Sequence, residues 1–303
     1  MKKYFILVSV AVIAAMVMLL PFGFNDDMLC PGSKNCKDIT SAATQGFDVL
    51  NAVDAVDAAA ALEFDAVDTT AFVPVINWGV TPNTREQTPG VPAGSKAMIE
   101  QYDGLYVNDS DAESGTKKVY LTFDLGYEAG YTEAVLDILN QNNIKGVFFL
   151  CGHYIDKESD LVNRMLAEGH MIGNHTDKHK DLPRLSDDGI KTDITAFNEM
   201  FAEKYPDRPA PTFFRPPQGR FDARTLKIAK EHGMRTMLWS IAIVDWGKKP
   251  IDARACADKI TGRIHPGAIV LFHITNSGTP EMLKLLIPQL VAKGYGFGSP
   301  GEL

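Results

Sequence analysis

The sequence has no surplus of basic residues. Over 303 residues, 30 Lys and Arg stand against 38 Asp and Glu, a formal net charge of −8. A phosphate backbone is held by a basic face, so nucleic acid is excluded as the main partner. Cysteine is scarce, with four in the chain, and their spacing matches neither a zinc site nor a lipid-attachment pattern at Cys30. With 25 Gly, 17 Pro and 45% hydrophobic residues, the chain is neither collagen-like nor wholly disordered. Its length suits one large domain or two ordinary ones.

Charge is also missing from Tyr4 to Phe24, directly after Lys2 and Lys3. That run approaches the length of a membrane span, and the lysines should stay inside. No clean small-x-small cleavage site follows Leu20. Residues 1–24 are therefore read as an uncleaved membrane anchor, with a signal peptide cleaved on secretion as the alternative. Both place the body of the protein outside the cytoplasm. Residues 25–72 are rich in Ala, Asp and Val, with nine acids against Lys34 and Lys37. Such low complexity and charge predict a solvated tether. Cys30 and Cys36 flank Pro31 and Gly32 and can close a small loop in an oxidising compartment, whereas Cys151 and Cys256 read as buried small hydrophobes.

Residues 73–116 form an extension that wraps the following domain, at first as an extended segment dotted with Pro and Gly, with Trp78 docking on that domain. From residue 117 to 303 the pattern is regular. KVYLTF, GVFFLCG, HMIGNH, TFFRPP, MRTMLWS and AIVLFH read as strands. Helix-like stretches such as EAVLDILNQN and DARTLKIAKEHG lie between them, and Ser186 and Asp222 stand where N-caps are expected. This alternation predicts an α/β fold with a parallel sheet closed into a distorted barrel.

Polar residues fall at the carboxyl ends of those strands. Asp124 closes the first, His175 and His179 follow the third, Arg215 ends the fourth, Asp245 and Trp246 follow the fifth, and His273 ends the sixth. In a parallel barrel these ends share the face where active sites are built. Singly, each has a bland reading: Asp124 as a cap, Arg215-Pro216-Pro217 as a rigid turn, His273 as a core histidine, Trp246 as packing. His175-x-x-x-His179 can bring two imidazoles to one ion if it makes a helical turn, but Thr176 stands where a zincin has Glu. The Gly-x-Gly-x-x-Gly at Gly296, Gly298 and Gly301 has no helix after it and is set aside.

In order, TFDLGYEAGYT, NHTDKH, FRPPQGRF, SIAIVDW and HPGAIVLFH resemble the successive motifs of the polysaccharide deacetylase (NodB-homology) family, also called carbohydrate esterase family 4. The FDxGYExGYT form, the VDW ending and the upstream NWG and YDGLY segments are closest to its delta-lactam-biosynthetic de-N-acetylases. The resemblance runs from about Ile76 to the C-terminus. It implies a hydrolase acting on a non-peptide carbon–nitrogen bond, which deacetylates muramic acid in peptidoglycan strands on the way to the delta-lactam of spore cortex. Deacetylation of N-acetylglucosamine or another polysaccharide is an alternative, and so is an inactive, membrane-tethered glycan-binding module.

The resemblance also implies roles. Asp124 would be the base acting on water, oriented by Arg215. His175 and His179 would hold a divalent metal ion, zinc or similar. The backbone N–H near Gln218 would bind the oxyanion, Trp246 would line the substrate site, and His273 would be the proton donor. Three departures stand out. The third metal ligand of the broader family is an Asp directly after the base, here Leu125, so weak metal binding is expected. The Asp that tunes the histidine is here Ala242, leaving Asp245 as substitute. Gln218 occupies a position often basic in the subgroup, which leaves Arg220 to meet the muramic lactyl carboxylate.

Overall fold

The computed structural model describes residues 74–247 and 249–303. The expected anchor at 4–24, the tether at 25–72 and the Cys30–Cys36 pair lie outside the described residues. Among the described residues no helix is long and apolar enough to cross a membrane.

After β1 (Ile76–Asn77) come two short helices, α1 (Ser95–Gln101) and α2 (Asp109–Ser114), which the turn-rich sequence did not announce. Strand and helix then alternate: β2 (Lys118–Leu125), α3 (Thr132–Gln141), β3 (Val147–Leu150), α4 (Gly152–Lys157), α5 (Ser159–Ala167), β4 (Met171–Asn174) and α6 (Asp187–Lys204). The second half runs β5 (Phe213–Phe214), β6 (Arg220–Phe221), α7 (Ala223–Glu231), β7 (Arg235–Thr236), β8 (Ile241–Ala242), α8 (Ala253–Thr261), β9 (Ala268–His273), α9 (Thr279–Ala292) and β10 (Gly296–Phe297). The expected caps form: Ser186 Oγ accepts from Gly189 N at 3.2 Å, and Asp222 Oδ1 from Thr225 N at 2.9 Å.

The main sheet is parallel, in the order β7-β5-β4-β3-β2-β9-β8, with β10 beside the start of β2. It curls into a half-barrel whose edge strands β7 and β8 do not pair with each other. The segment Leu105–Val107 bridges Met237 on one side of that opening and Ala268 on the other. Strand β1 pairs antiparallel with β6, and Trp78 beyond it is buried, with its indole N–H donating to the Trp239 carbonyl at 2.9 Å. The extension thus docks where Trp78 suggested.

Side chains of successive residues leave a strand on opposite faces. In β2 the residues Val119, Leu121, Phe123 and Leu125 point outward into the layer shared with the helices, and Tyr120 points into the barrel. Phe123 stacks on Phe148 (centroids 4.8 Å) and Phe272 (5.6 Å), tying β2 to both neighbours. Each buried Phe contributes roughly 1.5–3 kcal/mol. The alternation that makes this outer layer delivers Asp124 and His273 to the inner face, as direct partners across the β2–β9 register.

Candidate active site

Asp124 is buried, and its Oδ1 accepts a hydrogen bond from Arg215 Nη1 at 2.7 Å. Arg215 follows β5 and is completely buried. Its Nε donates to the Met237 carbonyl at 2.9 Å and its Nη2 to the Leu238 carbonyl at 3.3 Å. The guanidinium lies 4.0 Å from the centre of the Phe149 ring, a cation–π contact inside the barrel. Gly173 makes room for that ring, since a Cβ there would stand 2.5 Å from it. Burial acts to raise the Asp124 carboxyl, but the Arg215 charge and the facing His175 and His273 outweigh it and hold the group below its ordinary value of 3.8. The carboxylate is thus ionised and aimed.

His273 ends β9. Its Nδ1 lies 2.8 Å from Asp245 Oδ1, and Asp245 Oδ2 accepts from the His273 backbone N–H at 2.7 Å. A fully buried carboxylate that clamps both groups fixes the proton on Nδ1 and turns Nε2 to the cleft. Burial acts to lower the imidazole, yet the Asp245 hydrogen bond and charge, with Asp124 behind them, raise it above 6.5. Trp246, half-exposed, packs edge-on to His273 with centroids 5.3 Å apart. Asp245 is thus the carboxylate that holds His273, and Ala242 supplies none.

His175 and His179 meet by another route than the helical turn expected of them. Residues 175–181 form an irregular loop in which Thr176 (φ 68°) and His179 (φ 52°) take left-handed backbone conformations. The two rings meet edge-on, at 71°, with centroids 5.0 Å apart. His175 Nδ1 donates to the Arg215 carbonyl (2.8 Å), which leaves the Nε2 lone pair open, 3.6 Å from Asp124 Oδ2. Burial holds this imidazole down at about 4, the neutral form a metal requires. Among the described residues no three His, Cys, Asp or Glu side chains gather as a metal-holding group. Leu125 is buried in the outer core, on the face away from the two rings. The donor set fits a divalent ion on two imidazoles, with the rest of its shell left to water or substrate.

Gln218 is exposed at the cleft wall, with its backbone in the left-handed region at φ 60°. Arg220, expected to meet a substrate carboxylate, is engaged within the chain. Its Nη1 donates to Asp181 Oδ2 at 2.5 Å, and the residue lines neither cavity at the site. Its charge is already met by a carboxylate 39 residues away, a pairing that sequence distance conceals.

Two cavities of about 610 and 830 Å³ meet over this cluster, sharing Asp124, His175, His179, Trp246 and His273. The first has an apolar wall of Trp239, Ile243, Val244 and Leu271, and it includes Lys259. Val244 and Trp246 in the first cavity and Tyr127 in the second are exposed large hydrophobic side chains, the kind of patch that marks a ligand groove. Sequence reasoning missed Lys259, because nothing in its helix sets it apart. It also passed over Glu128, whose carboxylate accepts from the backbone N–H groups of Gly130, Tyr131 and Thr132 and from the Tyr154 hydroxyl. That carboxylate builds the turn leading from β2 into α3.

A profile of the family described as polysaccharide deacetylase matches residues 111–237. The chain is 37% identical over 229 residues to the peptidoglycan-N-acetylmuramic acid deacetylase PdaA of Bacillus subtilis (strain 168), covering 75% of this chain and 85% of that protein. The solved structure of Bacillus subtilis PdaA, described as a family 4 carbohydrate esterase, superposes with a TM-score of 0.69 at 36% identity, over 76% of this chain and 98% of that one. A structure described as a CE4 family pseudoenzyme from Bacillus anthracis is similar at a TM-score of 0.57 and 30% identity, over 62% of this chain and 65% of that one.

Proposed function

The chain belongs to the polysaccharide deacetylase family, whose members are hydrolases of non-peptide carbon–nitrogen bonds, and we propose that its substrate is the N-acetyl group of muramic acid in peptidoglycan. The observation that carries this reading is the pairing of two oppositely poised groups on neighbouring strands. Arg215 holds Asp124 toward its ionised form and Asp245 biases His273 toward its protonated form, with both facing one cleft.

In this reading Asp124 takes a proton from water as its oxygen adds to the acetamide carbon. The negative charge that develops on the acyl oxygen is met at the wall by the backbone N–H near Gln218. The carbon–nitrogen bond then breaks, His273 gives its proton to the departing nitrogen, and acetate and a free amine result. Arg215 and Asp245 do not touch the substrate; they position the base and the acid. His175 and His179 would hold a divalent ion, which when bound supplies polarisation of the acyl oxygen. Trp246 and Val244 give the sugar ring an apolar seat beside the acid.

Muramic acid is preferred over N-acetylglucosamine because the relative named for muramic acid aligns over 85% of its length. A peptidoglycan-N-acetylglucosamine deacetylase of Bacillus cereus aligns at 36% over only 66%. The freed amine of muramic acid can close on its own lactyl carboxylate, giving the delta-lactam of spore cortex. The substrate lies outside the cytoplasm, where an anchor at residues 4–24 would hold the domain. The test is acetate release from amidase-treated peptidoglycan, followed by mass spectrometry. Wild type should release acetate and lose the N-acetyl mass from muramic acid; release no greater than that of Asp124→Asn refutes the reading.

A further inference from the structure

The cleft's charges are nearly all spent. Asp124 is neutralised by Arg215, His273 is matched by Asp245, and the nearby Arg220 is bound to Asp181. In the second cavity Lys178 is paired with Asp177 at 3.1 Å. What remains is Lys259, the one Lys or Arg among the described residues lining the apolar cavity. It is exposed in the last turn of α8, and none of the ion pairs among the described residues engages it. The neighbouring Asp258 instead accepts from Gln289 Nε2 at 2.7 Å. An uncompensated ammonium beside an apolar wall suits a ligand with a saccharide face and a nearby anion, since the two surfaces are complementary in charge and polarity.

We propose that Lys259 is the specificity residue of this site, contacting the carboxylate of an acidic amino sugar while the sugar face lies on Trp246 and Val244. This rests on the proposed deacetylase reading and names the group that selects muramic acid over an uncharged sugar. Gln218 cannot supply a cation, and Arg220 is occupied; Lys259 reaches the cavity from a different element. Its position near the helix C-terminus also complements the α8 dipole, which a melting measurement reads separately.

The experiment uses the purified full chain and two forms of peptide-free glycan, one with free lactyl carboxylates and one with those carboxylates capped as methylamides. Wild type should favour the free acid by about tenfold in kcat/KM, corresponding to one charge-assisted contact of roughly 1.4 kcal/mol. Lys259→Gln should lose that preference through KM for the acid alone, and Lys259→Arg should keep most of it. An unchanged preference in Lys259→Gln, or an equal KM rise for both glycans, overturns the inference and leaves the deacetylase reading standing. If wild type releases acetate from neither glycan, that reading fails by itself. Calorimetric binding of the free-acid glycan to Asp124→Asn, with and without Lys259→Gln, then decides the matter. A tenfold loss of affinity for the acid alone supports Lys259, and no difference removes it.

Discussion

Replacing Arg215 by Met separates its role as a charge partner from its role as filler. The guanidinium is wholly buried and answers three acceptors: Asp124 Oδ1, the Met237 carbonyl and the Leu238 carbonyl. Met keeps much of the volume against Phe149 but leaves the Asp124 carboxylate without its counter-ion. Breaking a buried pair from one side costs about 3–5 kcal/mol. For a folded unit of this size that lowers the melting temperature by roughly 6–20 °C. Adding Asp124→Leu to Arg215→Met removes the stranded charge, so the double variant should regain part of the loss while staying inactive. The remaining deficit belongs to the two carbonyls. The sign with pH follows from the same pair. Asp124 is held below 3.8, so its stabilisation is complete above that value and is lost as the pH falls through the lower folded value. Thermal melts at neutral and acid pH check all of this. A single variant that melts with wild type, or a double no more stable than the single, would refute the charge-partner account.

The tuning of His273 is tested by Asp245→Asn. The imidazole is raised by Asp245 against the effect of burial, and the proposed reaction needs its protonated form, so activity should fall as pH rises through its value. Without the carboxylate, burial prevails, the alkaline limb of the kcat profile moves to lower pH, and kcat drops by about a hundredfold; an unmoved limb rules out the assignment. Chelation should reduce acetate release, with zinc restoring it, and His179→Ala should weaken zinc binding in a calorimetric titration; activity indifferent to chelator removes the metal from the scheme. Glu128→Ala should cost about 1–2 kcal/mol through the lost cap on α3, seen as a lower melting temperature with both pH limbs unmoved.

The long strands and helices were legible because their patterns are strong. KVYLTF and AIVLFH carry alternate inner and outer residues over enough length to be unmistakable, and Ser186 and Asp222 announce their helices by cap chemistry. What escaped was short or locally atypical. Strand β8 has two residues between a Trp-Ser and an Ile-Val-Asp-Trp run, and α4 begins at a glycine. The convergence of Asp124, Arg215, Asp245 and His273 was readable from position alone, since each lies at or just beyond a strand's carboxyl end. The pairing of His273 with Asp245 was readable as a substitute for Ala242. The pairing of Arg220 with Asp181 was not, because ion pairs between distant loops leave no local pattern.

Adjacent residues of β2 face opposite sides, and Asp124 has claimed the cleft side. Leu125 lies in the helix-facing layer, where it is fully buried beside Phe123 and Leu150. The leucine thus strengthens the packing under the base while withholding a ligand from the histidine pair. The cleft correspondingly presents two preset side-chain pairs, Asp124 with Arg215 and His273 with Asp245, each made entirely within the chain.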